Sequence, residues 1–211
     1  MKKRYLVVDD HAVVRQGLLR ILAESPAPPA VDEAGSMREA LAKTAAVAYD
    51  AVILDISLPD GSGLDALKGI KRLRPQTPVL ILSIHPEEQY AVRSIKAGAS
   101  GYLTKDSAPA ELVAALVRIG EGRRYVGTAL AERLADALDH PPEKARHETL
   151  SDREFQVLGL VAEGKTTGEI AAGLFLSPKT ISTYRLRILT KLNLRTTAQL
   201  IQYAVKNGLC D

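Results

Sequence analysis

Five polar residues in the first half of the chain fall where short apolar runs stop. Asp9 and Asp10 follow the run 5–8, Asp55 follows 51–54, Ser83 follows 79–82 and Lys105 comes just after 101–103. Taken singly, an aspartate at such a place is more often a turn or helix cap, and a lysine is more often a solvated surface group. Together they form a chemical set. Three converging carboxylates repel one another unless a cation neutralises them, and hard oxygen donors suit Mg²⁺. A carboxylate is also a nucleophile toward phosphorus, giving an aspartyl-phosphate. A divalent cation and a lysine would then stabilise the charge on the transferring phosphoryl oxygens.

The elements that must bring these residues together can be read from the apolar spacing. The runs 5–8, a weaker 31–34, 51–54, 79–82 and 101–103 read as strands. Between them lie stretches with helical spacing. These carry Val14, Leu18, Leu19 and Leu22, then Met37, Ala40 and Leu41, then Leu64, Leu67 and Ile70, then Val92, Ile95 and Lys96, and last Leu112, Ala115, Leu116 and Ile119. Strands alternating with helices predict repeated βαβ units and a central parallel sheet covered on both faces. In such a sheet the carboxyl ends of the strands open on the crevice where ligands bind, so the five polar residues are expected at one edge.

After Gly122 the strand signals stop. Residues 128–139 have the spacing of one amphipathic helix, followed by the polar, proline-containing DHPPEKARHET, which has linker composition. From Leu150 onward the chain reads as four short helices. The expected domains are 1–122, a connector 123–148, and 149–211. Ser151 and Glu154 have capping-box spacing, and Phe155, Leu158 and Val161 form an apolar face. A second helix carries Ile170, Ala171 and Leu174. Ser177 and Pro178 start a third that turns Ile181, Ile188 and Leu192 inward. The last spans about 196–206, with Leu200, Ile201 and Val205. Two helices joined by a tight turn, the second cleanly capped, form a helix-turn-helix plan. Lys179, Arg185, Arg187, Lys191 and Arg195 occur from Ser177 to Arg195 without one acid. Opposite the apolar seam lie Lys179, Ser182, Thr183, Leu186 and Thr190, whose hydroxyls and apolar tip suit base edges and a thymine methyl. The cations suit phosphates.

Bulk composition sets the bounds. A chain of 211 residues with 46% hydrophobic and 25% charged residues can bury a sizeable core. The net charge of +3 is too mild to argue for nucleic acid, so the distribution of charge matters. The one cysteine, Cys210, excludes an intramolecular disulfide and a cysteine zinc cluster, and a reducing cytoplasm fits. The opening MKKRYLVVDDH is basic, but its apolar run is too short for a signal sequence, and no stretch approaches the length of a membrane helix.

With these residues in view, the first half resembles a known family. VVDDH, VILDISLPDGSG, LILS and GYLTK are similar to the receiver domain of two-component response regulators, over residues 4–121. The resemblance implies a flavodoxin-like α/β fold with a five-stranded parallel sheet of strand order 2-1-3-4-5. It implies Asp55 as phosphoacceptor, and Asp10, Asp55 and the Ser57 main-chain carbonyl as Mg²⁺ ligands, with Asp9 acting through water. Ser83 and Lys105 would contact the phosphoryl group, and Ser83 and Tyr102 would form the switch pair. The stretch from LSDREF to AVKNGL resembles the LuxR-type helix-turn-helix domain, so the whole chain is similar to the NarL/FixJ class. This second resemblance implies DNA contacts from Lys179, Thr180, Ser182, Thr183, Arg185, Leu186, Arg187 and Lys191. Expected partners are a cognate sensor histidine kinase, double-stranded DNA, a second copy on phosphorylation and RNA polymerase. No catalysis is expected beyond slow self-phosphorylation from small donors and autodephosphorylation. Four departures stand out: Ser83 replaces a frequent threonine with the chemistry preserved, Asp106 follows Lys105 where many receivers have proline, Thr167 replaces a common asparagine, and Tyr184 a common histidine. Three other readings remain open at this stage. They are an aspartyl-phosphate hydrolase, against which Ser57 stands where a second acid is needed; a regulator with a vestigial receiver; and a second half that binds protein or RNA.

Overall fold

The computed structural model describes residues 2–84, 87–127 and 146–209. The expected helix at about 128–139 and Cys210 lie outside them. The chain divides into two compact units, whose described parts are 2–127 and 146–209.

In the first unit, the apolar runs become β1 (Arg4–Val8), β2 (Ala30–Ala34), β3 (Ala51–Asp55), β4 (Val79–Ser83) and β5 (Gly101–Thr104). All pair in parallel in the order β2-β1-β3-β4-β5, the topology expected from the resemblance. Strands β3 and β4, apolar up to their last residues Asp55 and Ser83, are buried throughout, as a sheet covered on both faces requires. Edge strand β2 is weaker because Asp32 and Glu33 keep it half-buried. Side chains alternate across each strand. Tyr5, Val7, Ile53, Leu80, Leu82 and Leu103 meet α1 (Ala12–Ala23) and α5 (Ala108–Gly120). The other face is covered by α2 (Met37–Ala46), α3 (Gly63–Leu73) and α4 (Glu87–Lys96).

The seam of α4 differs from the sequence expectation. Tyr90, Ala91, Ser94 and Ile95 are buried, whereas Val92 is half-buried and Lys96 exposed. Ser94 tolerates burial because its hydroxyl donates to the Tyr90 carbonyl at 2.8 Å. The chain after α5 also differs. Gly122 ends the helix with φ 77°, but the next residues return to the sheet. Tyr125 bridges Gly101 at the edge of β5, so residues expected as connector extend the first unit.

The second unit has a short 3₁₀ turn (Arg146–Thr149), then α6 (Asp152–Ala162), α7 (Thr167–Gly173), α8 (Pro178–Leu192) and α9 (Thr197–Lys206). Both α6 and α7 start with complete capping boxes, Ser151 with Glu154 and Thr166 with Glu169. Ser177 accepts the Thr180 amide, and Asn193, in the left-handed region at φ 56°, closes α8. Ile181, Ile188 and Leu192 are fully buried. In α9 the inward positions are Leu200 and Ala204, while Val205 faces solvent. No described helix is long and apolar enough to cross a membrane.

One glycine has no substitute at the carboxyl edge of the sheet. A Cβ on Gly63 would lie 2.1 Å from the Asp55 carbonyl oxygen and 2.6 Å from Ile56 Cα, while its amide donates to the Ile56 carbonyl at 2.7 Å. We expect Gly63→Ala to lower unfolding stability by about 1–3 kcal/mol in urea denaturation. Gly17→Ala, on the exposed side of α1 with nothing near its Cβ, should instead add up to about 1 kcal/mol.

Candidate functional site: a carboxylate pocket and a basic helix

Strand register places the polar residues. Val8 pairs with Leu54, Asp55 with Leu82, and Ser83 with Thr104, so β1, β3, β4 and β5 stop at one level. Asp9, Asp55 and Ser83 are buried there, each at most 2% exposed. Lys105 reaches in from the end of β5. Its Nζ lies 2.7 Å from Asp9 Oδ2 and 2.9 Å from Asp55 Oδ2. The departure at Asp106 does not disturb this reach. No peptide bond among the described residues is cis, and the Lys105 amide donates to the Ser83 carbonyl at 2.7 Å, extending the ladder one step past Thr104.

Negative charge exceeds positive charge in this pocket. Burial pushes the Asp55 carboxyl up to about 6; Lys105 pulls it down, and the charge of Asp9 adds to the rise. Burial also disfavours the Lys105 ammonium, but Asp55 and Asp9 more than offset this and hold its pKa above the ordinary value. Asp9 Oδ2 and Asp10 Oδ1 are buried, and the partners they meet are Lys105 Nζ and His11 Nδ1, each at 2.7 Å. Three carboxylates gathered around one lysine, with ligand oxygens of Asp9, Asp10 and Asp55 within 4.8 Å of one another, fit a divalent cation. The Ser57 amide hydrogen-bonds Asp55, and Ser57–Leu58 pairs with Gly61–Ser62 in a small hairpin. At its tip Asp60 accepts the amides of Met37 and Arg38 at 2.7 and 3.0 Å, which pins the loop to the start of α2. Tyr102 is buried on the α4 side of β5, and its amide donates to the Tyr125 carbonyl at 3.0 Å.

Sequence reasoning missed His11. One ligand atom from each of Asp9, Asp10, His11 and Asp55 lies within 4.8 Å of the others. The His11 amide donates to Asp9 Oδ1 at 2.8 Å, and its Nδ1 is 2.7 Å from Asp10 Oδ1. Its position directly after the acid pair was the available signal.

The basic helix α8 sorts its cations into two groups. Lys179, Ser182, Thr183, Leu186, Arg187 and Thr190 are exposed and Thr180 half-buried. The hydroxyls of Ser182, Thr183 and Thr190 donate to carbonyls one turn back, at 2.9–3.0 Å, leaving lone pairs outward. Two members of the expected DNA-contact set turn elsewhere. Arg185 donates to the Thr167 hydroxyl at 2.9 Å and also to the Thr197 hydroxyl, tying α8 to the first turns of α7 and α9. Lys191 forms an ion pair with buried Glu154 at 2.6 Å. Burial would raise the Glu154 pKa, but Lys191 and the Ser151 cap together hold it below the ordinary value. These cations serve helix packing because a buried acid and two helix starts offer them partners, which a charge count along α8 does not reveal.

Comparison with known proteins agrees with both halves. Residues 5–117 match the response regulator receiver domain, and residues 148–204 match the luxR family of bacterial regulatory proteins. Response regulator UvrY of Escherichia coli K12 is 35% identical over 207 residues, covering 98% of this chain and 95% of UvrY. Response regulator GacA of Pseudomonas viridiflava is 35% identical over 209 residues, covering 99% and 98%. Among solved structures, a LuxR-family response regulator from Aurantimonas sp. SI85-9A1 is 34% identical with a TM-score of 0.60, covering 66% of this chain and 100% of its own. The RcsB–DNA complex is 25% identical with a TM-score of 0.59, covering 97% of this chain and 98% of its own. With both domains matched and relatives aligned along nearly its full length, the chain belongs to the two-component response regulators of the NarL/FixJ class, a receiver domain followed by a LuxR-type helix-turn-helix domain.

Proposed function

We propose that Asp55 accepts a phosphoryl group from a sensor histidine kinase, and that this modification controls dimerisation and sequence-specific DNA binding to regulate transcription. The observation that carries the reading is the buried Asp55 carboxylate 2.9 Å from Lys105 Nζ, in a pocket with surplus negative charge. An Asp55 oxygen attacks the phosphorus of a phosphohistidine; the new P–O bond forms as the P–N bond breaks, and the histidine nitrogen leaves. Lys105 neutralises a phosphoryl oxygen and Ser83 donates its hydroxyl to another. Asp10, Asp55 and the Ser57 carbonyl would hold Mg²⁺, with Asp9 acting through water. The ion supplies charge neutralisation for three carboxylates and the incoming phosphoryl group. The chain's own chemistry is limited to slow self-phosphorylation from small donors and autodephosphorylation.

Transmission to the second domain is proposed to run along β5. When Ser83 moves toward the phosphoryl group, Tyr102 follows, and Tyr102 is hydrogen-bonded through its backbone to Tyr125 in the chain leaving the receiver. Two copies brought together on neighbouring half-sites add their binding. RcsB, a relative, is known in complex with DNA, which supports duplex DNA as the ligand of the exposed face of α8. The protein would work in the cytoplasm, with RNA polymerase as a further partner.

Incubation with a small-molecule phosphodonor and Mg²⁺ should add one phosphoryl mass to the peptide holding Asp55 and raise gel-shift affinity. An unmodified Asp55 would favour a vestigial receiver, and modification without any change in affinity or oligomeric state would sink the switch. Lys179→Ala and Arg187→Ala should each weaken DNA binding and flatten its salt dependence with an unchanged melting temperature. Arg185→Ala should lower the melting temperature first, since it leaves Thr167 and Thr197 without their shared donor. The pH dependence follows from Asp55. Its folded pKa, about 6, exceeds the unfolded 3.8, so the folded state binds the extra proton, and stability falls as pH rises through that window. In metal-free buffer at pH 7.5, Asp55→Asn should therefore be more stable than wild type by on the order of 3 kcal/mol. The difference should vanish below about pH 4; a denaturation series across pH reads it.

A further inference from the structure

Asp9 and Asp10 follow the last residue of β1, so their orientation depends on something beyond the strand. The Asp9 amide donates to the Ala34 carbonyl at the end of β2, at 3.1 Å. Its carbonyl is held by Arg15, one turn into α1, whose Nη1 donates to that oxygen at 2.7 Å. Arg15 is itself fixed, since its Nε donates to Glu33 Oε2 at 2.9 Å in an ion pair where the arginine side chain is only 19% exposed. Glu33 is braced in turn, because Lys43 Nζ donates to its main-chain carbonyl and also pairs with Glu39 at 2.9 Å. Glu39 accepts the Gly35 amide at 2.9 Å.

We propose that Arg15 is a positioning residue for phosphoryl acceptance. The peptide group it grips joins Asp9 to Asp10, so a single hydrogen bond to that carbonyl sets the direction of both carboxylates. Asp9 in turn holds Lys105 at 2.7 Å and accepts the His11 amide at 2.8 Å. Arg15 thus acts on Asp55 at two removes, through Asp9 and Lys105, without touching the reacting atoms. Its fork geometry matters: one nitrogen is spent on Glu33 and another on the Asp9 carbonyl, a division a guanidinium makes in a fixed plane. Without Arg15 the Asp9 carbonyl loses its charged donor, and the peptide can turn. Partners of this kind, one step behind the ligands, typically change metal affinity about 10- to 100-fold when removed.

This inference rests on the phosphoacceptor reading, and the test separates the two. Mg²⁺ binding to the full chain is measured by titration calorimetry, and the Mg²⁺ dependence of phosphorylation from a small-molecule donor is measured alongside. Arg15→Ala is expected to weaken Mg²⁺ binding about 10- to 100-fold and to shift half-saturation of phosphorylation equally, with most of the limiting rate recovered at saturating Mg²⁺. Arg15→Lys, which keeps the charge and one donor, should lie between. Glu33→Gln, which leaves α1 intact and loosens the anchor, should shift Mg²⁺ affinity in the same direction by less, and it decides the matter if Arg15→Ala does not fold. Wild-type Mg²⁺ affinity in folded Arg15→Ala, or in both Arg15→Lys and Glu33→Gln, overturns the positioning role alone. A wild-type chain that neither binds Mg²⁺ nor takes a phosphoryl group overturns the reading of the site, and this role with it.

Discussion

The Lys105 ammonium between Asp9 and Asp55 is the contact on which the receiver half depends. Two carboxylates buried almost completely at the end of a sheet are each several kcal/mol less stable than in water unless paired, and one lysine is shared by both. The arrangement exists only because β1, β3 and β5 end at the same height. A slip of one residue in any strand would turn its side chains to the opposite face and take either an acid or the lysine out of the pocket. In β3 and β4, buried throughout, a slip would instead draw the polar ends Asp55 and Ser83 into the apolar interior or push an apolar residue out at the other end. Burial first, and the neighbouring charge of Asp9 second, raise the Asp55 pKa further than the lysine lowers it. The pocket is therefore built to gain from added positive charge.

The legible part of this was the part set by chain periodicity. Apolar runs followed by Asp9, Asp10, Asp55, Ser83 and Lys105 place those residues at strand ends before any contact is known. Parallel topology then brings the ends together. Contacts made by backbone groups were not legible. Nothing in the spacing shows that Arg15 grips the Asp9 carbonyl or that Asp60 caps α2, because a carbonyl or an amide occurs at every residue and carries no sequence signal. The seam of α4 was misread for a related reason. Ser94 looks like a surface residue until its hydroxyl finds the Tyr90 carbonyl, after which it buries like a small apolar residue.

The same limit applies to α8. An acid-free basic stretch invites the assumption that every cation faces a phosphate. The helix has an inner side, however, and Arg185 and Lys191 sit near enough to it for Thr167, Thr197 and Glu154 to capture them. Thr167, a departure from the common family residue, is one of the two hydroxyls that hold Arg185. What remains outward is smaller and more polar: Lys179 and Arg187 flank Ser182, Thr183 and the exposed Leu186. Fewer outward cations leave a smaller electrostatic share for phosphate contacts along this helix.

One strand of the first unit gathers several of these residues. β5 carries Gly101, Tyr102 and Thr104, and Lys105 follows directly. Lys105 pairs with Asp55 at 2.9 Å, Tyr102 lies buried two residues from Thr104, and Gly101 makes room for the chain that follows α5. A Cβ at Gly101 would lie 2.7 Å from the Tyr125 carbonyl, so the bridge exists only because that side chain is absent. Tyr125 is held besides by its hydroxyl, which donates to Glu111 at 2.6 Å, and by its amide, which donates to the Ser100 carbonyl at 2.9 Å. A rigid sheet interior transmits displacement poorly through its centre, where both faces are packed. An edge strand has a hydrogen-bonded strand on one side only, and on its other side β5 has the single bridge to Tyr125. The lysine, the buried Tyr102 and the bridge to Tyr125 thus share one edge strand, and the Lys105 ion pair joins that strand to Asp55 at the end of β3.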